Sequence, residues 1–204
     1  RLSQPGRLVA VVLAFTLWSG ASLAAATAKY AERKDVRQFI AEMVSRHGFV
    51  RKELRTLFSR ARFQVSVIKA ITPSAEPRAR SWQDYRAQFL TSQRIGAGIE
   101  FREKHREVLA RAVELYGVPA EIIVAIIGVE TVYGRNVGGY RVIDALATLA
   151  FDYPQRAEYF RGELEQFLLH ARQEYIDVLG LKGSYAGAIG IPQFMPGSYR
   201  RYAV

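Results

Sequence analysis

Apolar residues recur at helical spacing along most of the chain, in short blocks that Gly and Pro separate. Val36, Phe39, Ile40, Met43 and Val44 share one face of DVRQFIAEMVSRH, which predicts an amphipathic helix over 35–47 with Asp35 as its cap and Gly48 as its stop. Leu54, Leu57 and Phe58 repeat the pattern over 50–60, and 63–71 forms a third short segment. Pro73 and Pro77 then break regularity in ITPSAEPRARS, the clearest loop in the sequence. Residues 81–90 read as a helix capped by Ser81 and carrying Trp82, Tyr85 and Phe89. A longer helix follows over 95–116, and Gly117 with Pro119 ends it and starts the next.

Residues 120–133 (AEIIVAIIGVETVY) are apolar on nearly all sides, which predicts the central and most buried helix of the domain. Two more helices are expected over 142–151 and 154–176. The second has Pro154 in its first turn and Tyr159, Phe160, Leu164, Phe167 and Leu168 on one stripe. No segment alternates as a strand does, and from Leu181 onward glycines punctuate a loop-rich stretch. The fold class is therefore mainly α: a compact bundle of about eight short helices with little or no β.

The first residues follow a different pattern. Arg1 and Arg7 precede an apolar run over 8–18, and small residues follow, which matches a secretory signal over 1–26 and a mature domain over 27–204. The run is far shorter than the roughly twenty residues a bilayer span needs, so no stable membrane span is expected after cleavage. The chain has no Cys, which excludes a lipoprotein anchor, a disulfide framework and a thiol nucleophile. His47, His105 and His170 lack the spacing of a helical metal site, so neither metal nor cofactor is expected. The net charge of +10 favours polyanions of any kind. Export demotes nucleic acid among them, and acids interleave with the bases in REKHREVLARAVE as on a solvated helix face.

One carboxylate stands out. Glu130 ends the apolar 120–133 segment, and a carboxyl group with apolar surroundings resists ionisation, as a general acid for glycosidic cleavage must. From spacing alone a structural ion pair with Arg135 or Arg156 is the favoured reading, since structural pairs perturb carboxylates too. GRNVGG at 134–139 lacks the Lys-Ser/Thr end of a phosphate loop and reads as a turn. Asp144 stands where a helix cap would, and Asp152 is the other candidate second acid. Tyr85, Ser184, Tyr185 and Gln193 are individually ordinary: aromatic edges and turn residues.

Together the strings IIGVETVYGRNVG, DALATLAFDYPQRAEYFRGELEQFLLHARQE and LKGSYAGAIGIPQFMPGSYRRYAV resemble the lytic murein transglycosylase B family, over about 35–204. The resemblance implies a periplasmic enzyme with a lysozyme-like helical core. Its members cleave the bond between N-acetylmuramic acid and N-acetylglucosamine in peptidoglycan without water, leaving 1,6-anhydromuramoyl ends. It implies Glu130 as the single acid and base, with Ser184 hydrogen-bonding near it to orient the carboxyl or the acetamido group. Gln193 would line the sugar cleft, Tyr85 would offer its hydroxyl beside the cleavage point, and Tyr185 would be among the substrate-binding residues. Gly187 and Gly190 would let the glycan approach backbone donors. Arg156 would face peptide-stem carboxylates, although the family's PRRAEYF reads PQRAEYF here. Implied partners are peptidoglycan glycan strands and enzymes of cell-wall synthesis. Family members commonly continue beyond the position of Val204 into a calcium loop, so the resemblance implies that 27–204 is an incomplete catalytic domain, either a fragment or a shortened homologue, for which no calcium binding is expected. A water-using muramidase and a noncatalytic peptidoglycan-binding piece are the competing expectations.

Overall fold

A computed structural model describes residues 30–73 and 81–203. The expected signal over 1–26, and most of the expected loop before Ser81, lie outside the described residues. Among the described residues ten α-helices form, with one ribbon of two-residue strands, so the mainly α expectation holds. In chain order they are α1 (Lys34–His47), α2 (Arg51–Arg60), α3 (Val65–Ile71), α4 (Trp82–Ala87), α5 (Ser92–Lys104), α6 (Arg106–Tyr116) and α7 (Ala120–Thr131). Strand β1 (Tyr140–Arg141) leads into α8 (Val142–Asp152), which α9 (Ala157–Gln173), β2 (Lys182–Gly183) and α10 (Pro196–Tyr202) follow. The strands pair antiparallel, Tyr140 with Gly183 and Arg141 with Lys182.

The central helix is α8, not α7. Every residue from Val142 to Phe151 is buried, and the small Ala145, Ala147 and Ala150 let neighbours approach from all sides. Helix α9 runs beside it and α10 packs on α9, while α1, α2, α3 and the turn at Tyr30–Glu32 close the remaining sides. Phe39, Phe58 and Phe151 meet edge to face with centroids 5.9–6.2 Å apart. Helix α7 instead leaves Ile122, Ile126 and Val129 about half exposed, and buries only Val124, Gly128 and Thr131. An all-apolar sequence states what a helix prefers to touch, and among the described residues α5 and α6 cover only part of it. No single described helix is long and apolar enough to cross a membrane.

Several helix ends differ from expectation. The single helix expected over 95–116 is two, because His105 leaves helical geometry (φ −111°, ψ 23°) with its ring on Phe101, centroids 4.4 Å apart. Asp35 does not cap α1; it lies in the first turn, where its oxygens take the Arg33 guanidinium at 2.8 and 3.1 Å. Asp144 does not cap α8 either. It is buried in the first turn, accepting two bonds from Arg141 at 2.8 Å, one from Arg62 N–H at 2.9 Å and one from Gln64 Nε2 at 3.2 Å. The caps at Ser81, which accepts from Asp84 N–H at 3.1 Å, and at Gly48 (φ 66°) form as expected.

At the seam of α9 and α10, His170 is nearly buried against Tyr199, centroids 5.0 Å apart. Burial holds its pKa below the ordinary 6.5; Arg200 pushes the same way and Glu174 opposes. The unfolded chain therefore takes this proton first, so the stability His170 contributes is full above about pH 6.5 and is lost as pH falls towards the folded value. Urea midpoints measured from pH 7 to pH 5 should fall less steeply in His170→Gln. Leu146→Ala should lose about 2–5 kcal/mol, since its fully buried side chain leaves a cavity. Ile126→Gln, on the exposed face of α7, should stay within about 0.5 kcal/mol in the same assay.

Candidate functional site

Glu130 sits one residue before the end of α7, and its carboxylate is exposed. No hydrogen bond or ion pair holds it among the described residues, so the structural pairing with Arg135 or Arg156 does not form. The apolar enclosure expected around it is also absent, because the neighbouring Ile126 and Val129 are half exposed themselves.

The backbone that carries Glu130 is held tightly. Val132, Tyr133 and Gly134 follow with φ of 52°, 61° and 84°, and a left-handed β-branched residue is a costly conformation that only firm surroundings maintain. Thr131, fully buried, supplies the hold. Its Oγ1 donates to Ile191 O at 3.0 Å and accepts from Gly134 N–H at 2.9 Å, while Thr131 O accepts from Asn136 N–H at 2.9 Å. One hydroxyl thus ties the end of α7 to the GIPQFMP loop. The Tyr133 ring lies in a slot whose walls are Gly98 of α5 and Gly128 of α7; a Cβ at either would stand 2.5 Å from its hydroxyl. Arg94 of α5 donates to Gly128 O at 2.9 Å and completes the clamp. Sequence reasoning missed Thr131, Arg94 and this slot, although a glycine within a helix costs about 1 kcal/mol and so signals close packing.

Ser184 follows β2. Its Oγ accepts from Ala186 N–H at 3.2 Å and Ala188 N–H at 3.0 Å, so the hydroxyl organises the KGSYAGA loop, and its own proton has no acceptor among the described residues. Gln193, with φ 53°, donates through Nε2 to Val137 O at 3.2 Å and Gly190 O at 2.9 Å, clasping the loop after Glu130 to the GIPQFMP loop. Gly138 (φ 97°) lies so close to the Gly183 carbonyl that any side chain would overlap it, which brings the Glu130 and Ser184 loops into backbone contact. Gly187 serves the core rather than an approaching ligand: with φ 86°, a Cβ there would collide with Leu146.

Tyr85 is half exposed on α4, its ring 5.1 Å from that of Phe89. Phe89 underlies Arg94 at 5.3 Å, so two contacts connect Tyr85 to the residue that clamps α7. Tyr185 projects from the Ser184 loop, 40% exposed. Arg156 lies 4.3 Å over the Tyr159 ring, and among the described residues it makes no hydrogen bond or ion pair with the Glu130 turn. Asp144 is committed to Arg141, and Asp152 accepts from Tyr30 Oη at 2.6 Å and Arg33 Nη1 at 2.5 Å. Neither is a free second carboxylate. The site therefore joins Glu130, the Ser184 loop and the Gln193 loop, with Tyr85 at one remove and Arg156 apart. Among the described residues, no group of three or more His, Asp or Glu could hold a metal ion.

The family described as Transglycosylase SLT domain matches residues 31–204. A membrane-bound lytic murein transglycosylase B of Escherichia coli is 49% identical over 86% of this chain and 51% of its own length. The structure of catenated lytic transglycosylase SltB1 from Pseudomonas aeruginosa superposes with a TM-score of 0.83, at 53% identity over 86% of this chain and 57% of that one. SltB3 of the same organism, solved with NAG-NAM-pentapeptide, is 28% identical with a TM-score of 0.75, over 83% of this chain and 45% of that one. The chain thus spans about half the length of these relatives.

Thr131→Val tests the clamp. It removes the partner of Ile191 O and Gly134 N–H together, and should cost about 1–3 kcal/mol in urea unfolding. Gly134 amide exchange should accelerate with it, whereas unchanged protection would show that the hydroxyl does not hold the turn.

Proposed function

The chain belongs to the lytic murein transglycosylase B family, and on that premise we propose that it acts in the periplasm on peptidoglycan glycan strands. The proposed reaction cleaves the β-1,4 bond between N-acetylmuramic acid and N-acetylglucosamine without water. Glu130 is its single general acid and base.

The observation that carries this reading is a carboxyl group, unpaired among the described residues, on a clamped helix end, with Asp144 and Asp152 already committed. A hydrolase of the usual kind needs two carboxyl groups flanking the bond. Asp144 and Asp152 are occupied by Arg141, Arg33 and Tyr30, which suits a reaction whose nucleophile belongs to the substrate. Protonated Glu130 gives its proton to the glycosidic oxygen as the bond from that oxygen to C1 breaks, and the N-acetylglucosamine end leaves with a C4 hydroxyl. The C6 hydroxyl oxygen of the same muramic acid then closes on C1, its proton passes to the Glu130 carboxylate, and the acid form is restored. A glycan lying over the exposed carboxyl supplies the exclusion of water that the protein alone does not.

Other residues take supporting roles. Ser184, with both accepting positions filled by backbone N–H groups, has its proton available for an acetamido carbonyl. Gln193 uses both its N–H donors on the two loops, so it shapes the cleft and has only its carbonyl oxygen for the sugar. The exposed rings of Tyr85 and Tyr185 offer apolar faces and hydroxyls to a sugar, and Arg156 offers a guanidinium to a stem carboxylate. The complex of SltB3 with NAG-NAM-pentapeptide supports the substrate class.

Digestion of purified sacculi, followed by mass spectrometry of the soluble products, tests this. The chain should release anhydromuramoyl ends, and Glu130→Gln should reduce their rate by about 10²–10⁴-fold. Reducible ends would make the protein a hydrolase. Products released equally by the variant would remove Glu130 from the chemistry, and binding without products from either form would leave a noncatalytic piece.

A further inference from the structure

Helix α2 carries four cations, Arg51, Lys52, Arg55 and Arg60, against one acid, Glu53. Arg51, Lys52 and Arg55 line a depression of about 590 Å³, with Thr56 and Ser59 on the same helix face and one acid, Glu32, at the edge. Lys52 and Thr56 also line an adjoining hollow of about 480 Å³, which adds Arg60, Glu53 and an apolar floor of Leu57 and Leu179. The two hollows flank the exposed ridge of α2, share Lys52 and Thr56 as a common rim, and together make up the α2 groove.

Two details give the groove a chemical preference. None of the four cations makes an ion pair among the described residues, while Arg33, Arg46, Arg102, Arg106 and Arg141 all do. Both hydroxyls turn away from recognition: Thr56 Oγ1 donates to Lys52 O at 3.0 Å and Ser59 Oγ to Thr56 O at 2.7 Å. What remains is a set of guanidinium and ammonium donors beside small apolar surface. Guanidinium forks match planar carboxylates, and the Leu57 and Leu179 floor suits short aliphatic side chains. An acidic peptide with small side chains fits this groove. The residues also belong to a different surface from the Glu130, Ser184 and Gln193 loops, none of which lines either hollow.

We propose that the α2 groove is an exosite for the peptide stems of peptidoglycan, engaging their free carboxylates on a strand other than the one at Glu130. The inference rests on the peptidoglycan reading above. Such a site would hold the protein on the polymer between cleavage events, since several weak exposed ion pairs raise the local concentration of the cleft's substrate without occupying the cleft.

Pull-down on purified sacculi tests it, with both proteins carrying Glu130→Gln so that the polymer stays intact. Adding Arg51→Gln, Lys52→Gln and Arg55→Gln together should weaken binding about tenfold at low salt, the sum expected of three exposed pairs. The same loss should follow when stem carboxylates are converted to amides, and the triple variant should then show no further loss. A control variant with Lys104→Gln, Arg106→Gln and Arg111→Gln removes equal charge from the end of α5 and from α6. Equal weakening by the control would reduce the effect to net charge and overturn the proposal, as would unchanged binding by the α2 variant. Binding to anionic phospholipid vesicles that needs the three cations, without sacculus binding that needs them, would assign the groove to a lipid surface instead. The digestion of sacculi by the unmodified chain reports the catalytic reading separately, so failure of the exosite and failure of that reading remain distinguishable.

Discussion

A buried carboxylate fixes the frame. Asp144 lies in the first turn of α8, where the helix dipole favours negative charge, and gathers Arg141, the Arg62 amide and the Gln64 side chain around it. A charge taken out of water must be paired or it destabilises the fold strongly, so these groups cannot separate independently. Through Arg141 the carboxylate locates β1, and β1 pairs with β2, immediately before Ser184. Through Arg62 and Gln64 it fixes the link from α2 to α3 against the central helix. The ribbon, the Ser184 loop and the start of α8 thus share one anchor.

The Glu130 end of the site depends on a second, smaller device. The left-handed run from Val132 to Gly134 turns the chain abruptly after α7, and the Thr131 hydroxyl joins that turn to the Gln193 loop. Gln193 then clasps the same two loops from the other side. In the proposed mechanism Glu130 is positioned by loop-to-loop hydrogen bonds above a helical core, while its carboxyl has no hydrogen-bond or ion-pair partner among the described residues. An acid held by its backbone and not by its side chain can meet a substrate oxygen and later recover a proton from a second one.

Much of this was legible in the sequence. One-sided helices such as α1, α2 and α9 were read close to their true extent, because their apolar stripes and Gly or Pro ends are local signals. The break at His105 was not, since no Gly or Pro marks it and the cause is a ring contact with Phe101. Helix α7 was misjudged for a deeper reason: apolar composition does not specify which neighbours arrive, and Ile122, Ile126 and Val129 stay half exposed. The motifs around Glu130, Ser184 and Gln193 lie on loops that the structure brings into contact. What they do not reveal is division of labour, in which Ser184 and Gln193 spend most of their hydrogen bonding on the loops and Thr131 bears the clamp.

The central claim is that one carboxyl group performs both proton transfers while the substrate's own hydroxyl closes the ring. Carrying out sacculus cleavage in water enriched in oxygen-18 tests it most directly, with the isotope content at muramic C1 read by mass spectrometry. The account predicts anhydro products free of solvent oxygen at that carbon. Muramic ends carrying oxygen-18 at C1 in the initial products would show that water is the nucleophile and contradict it.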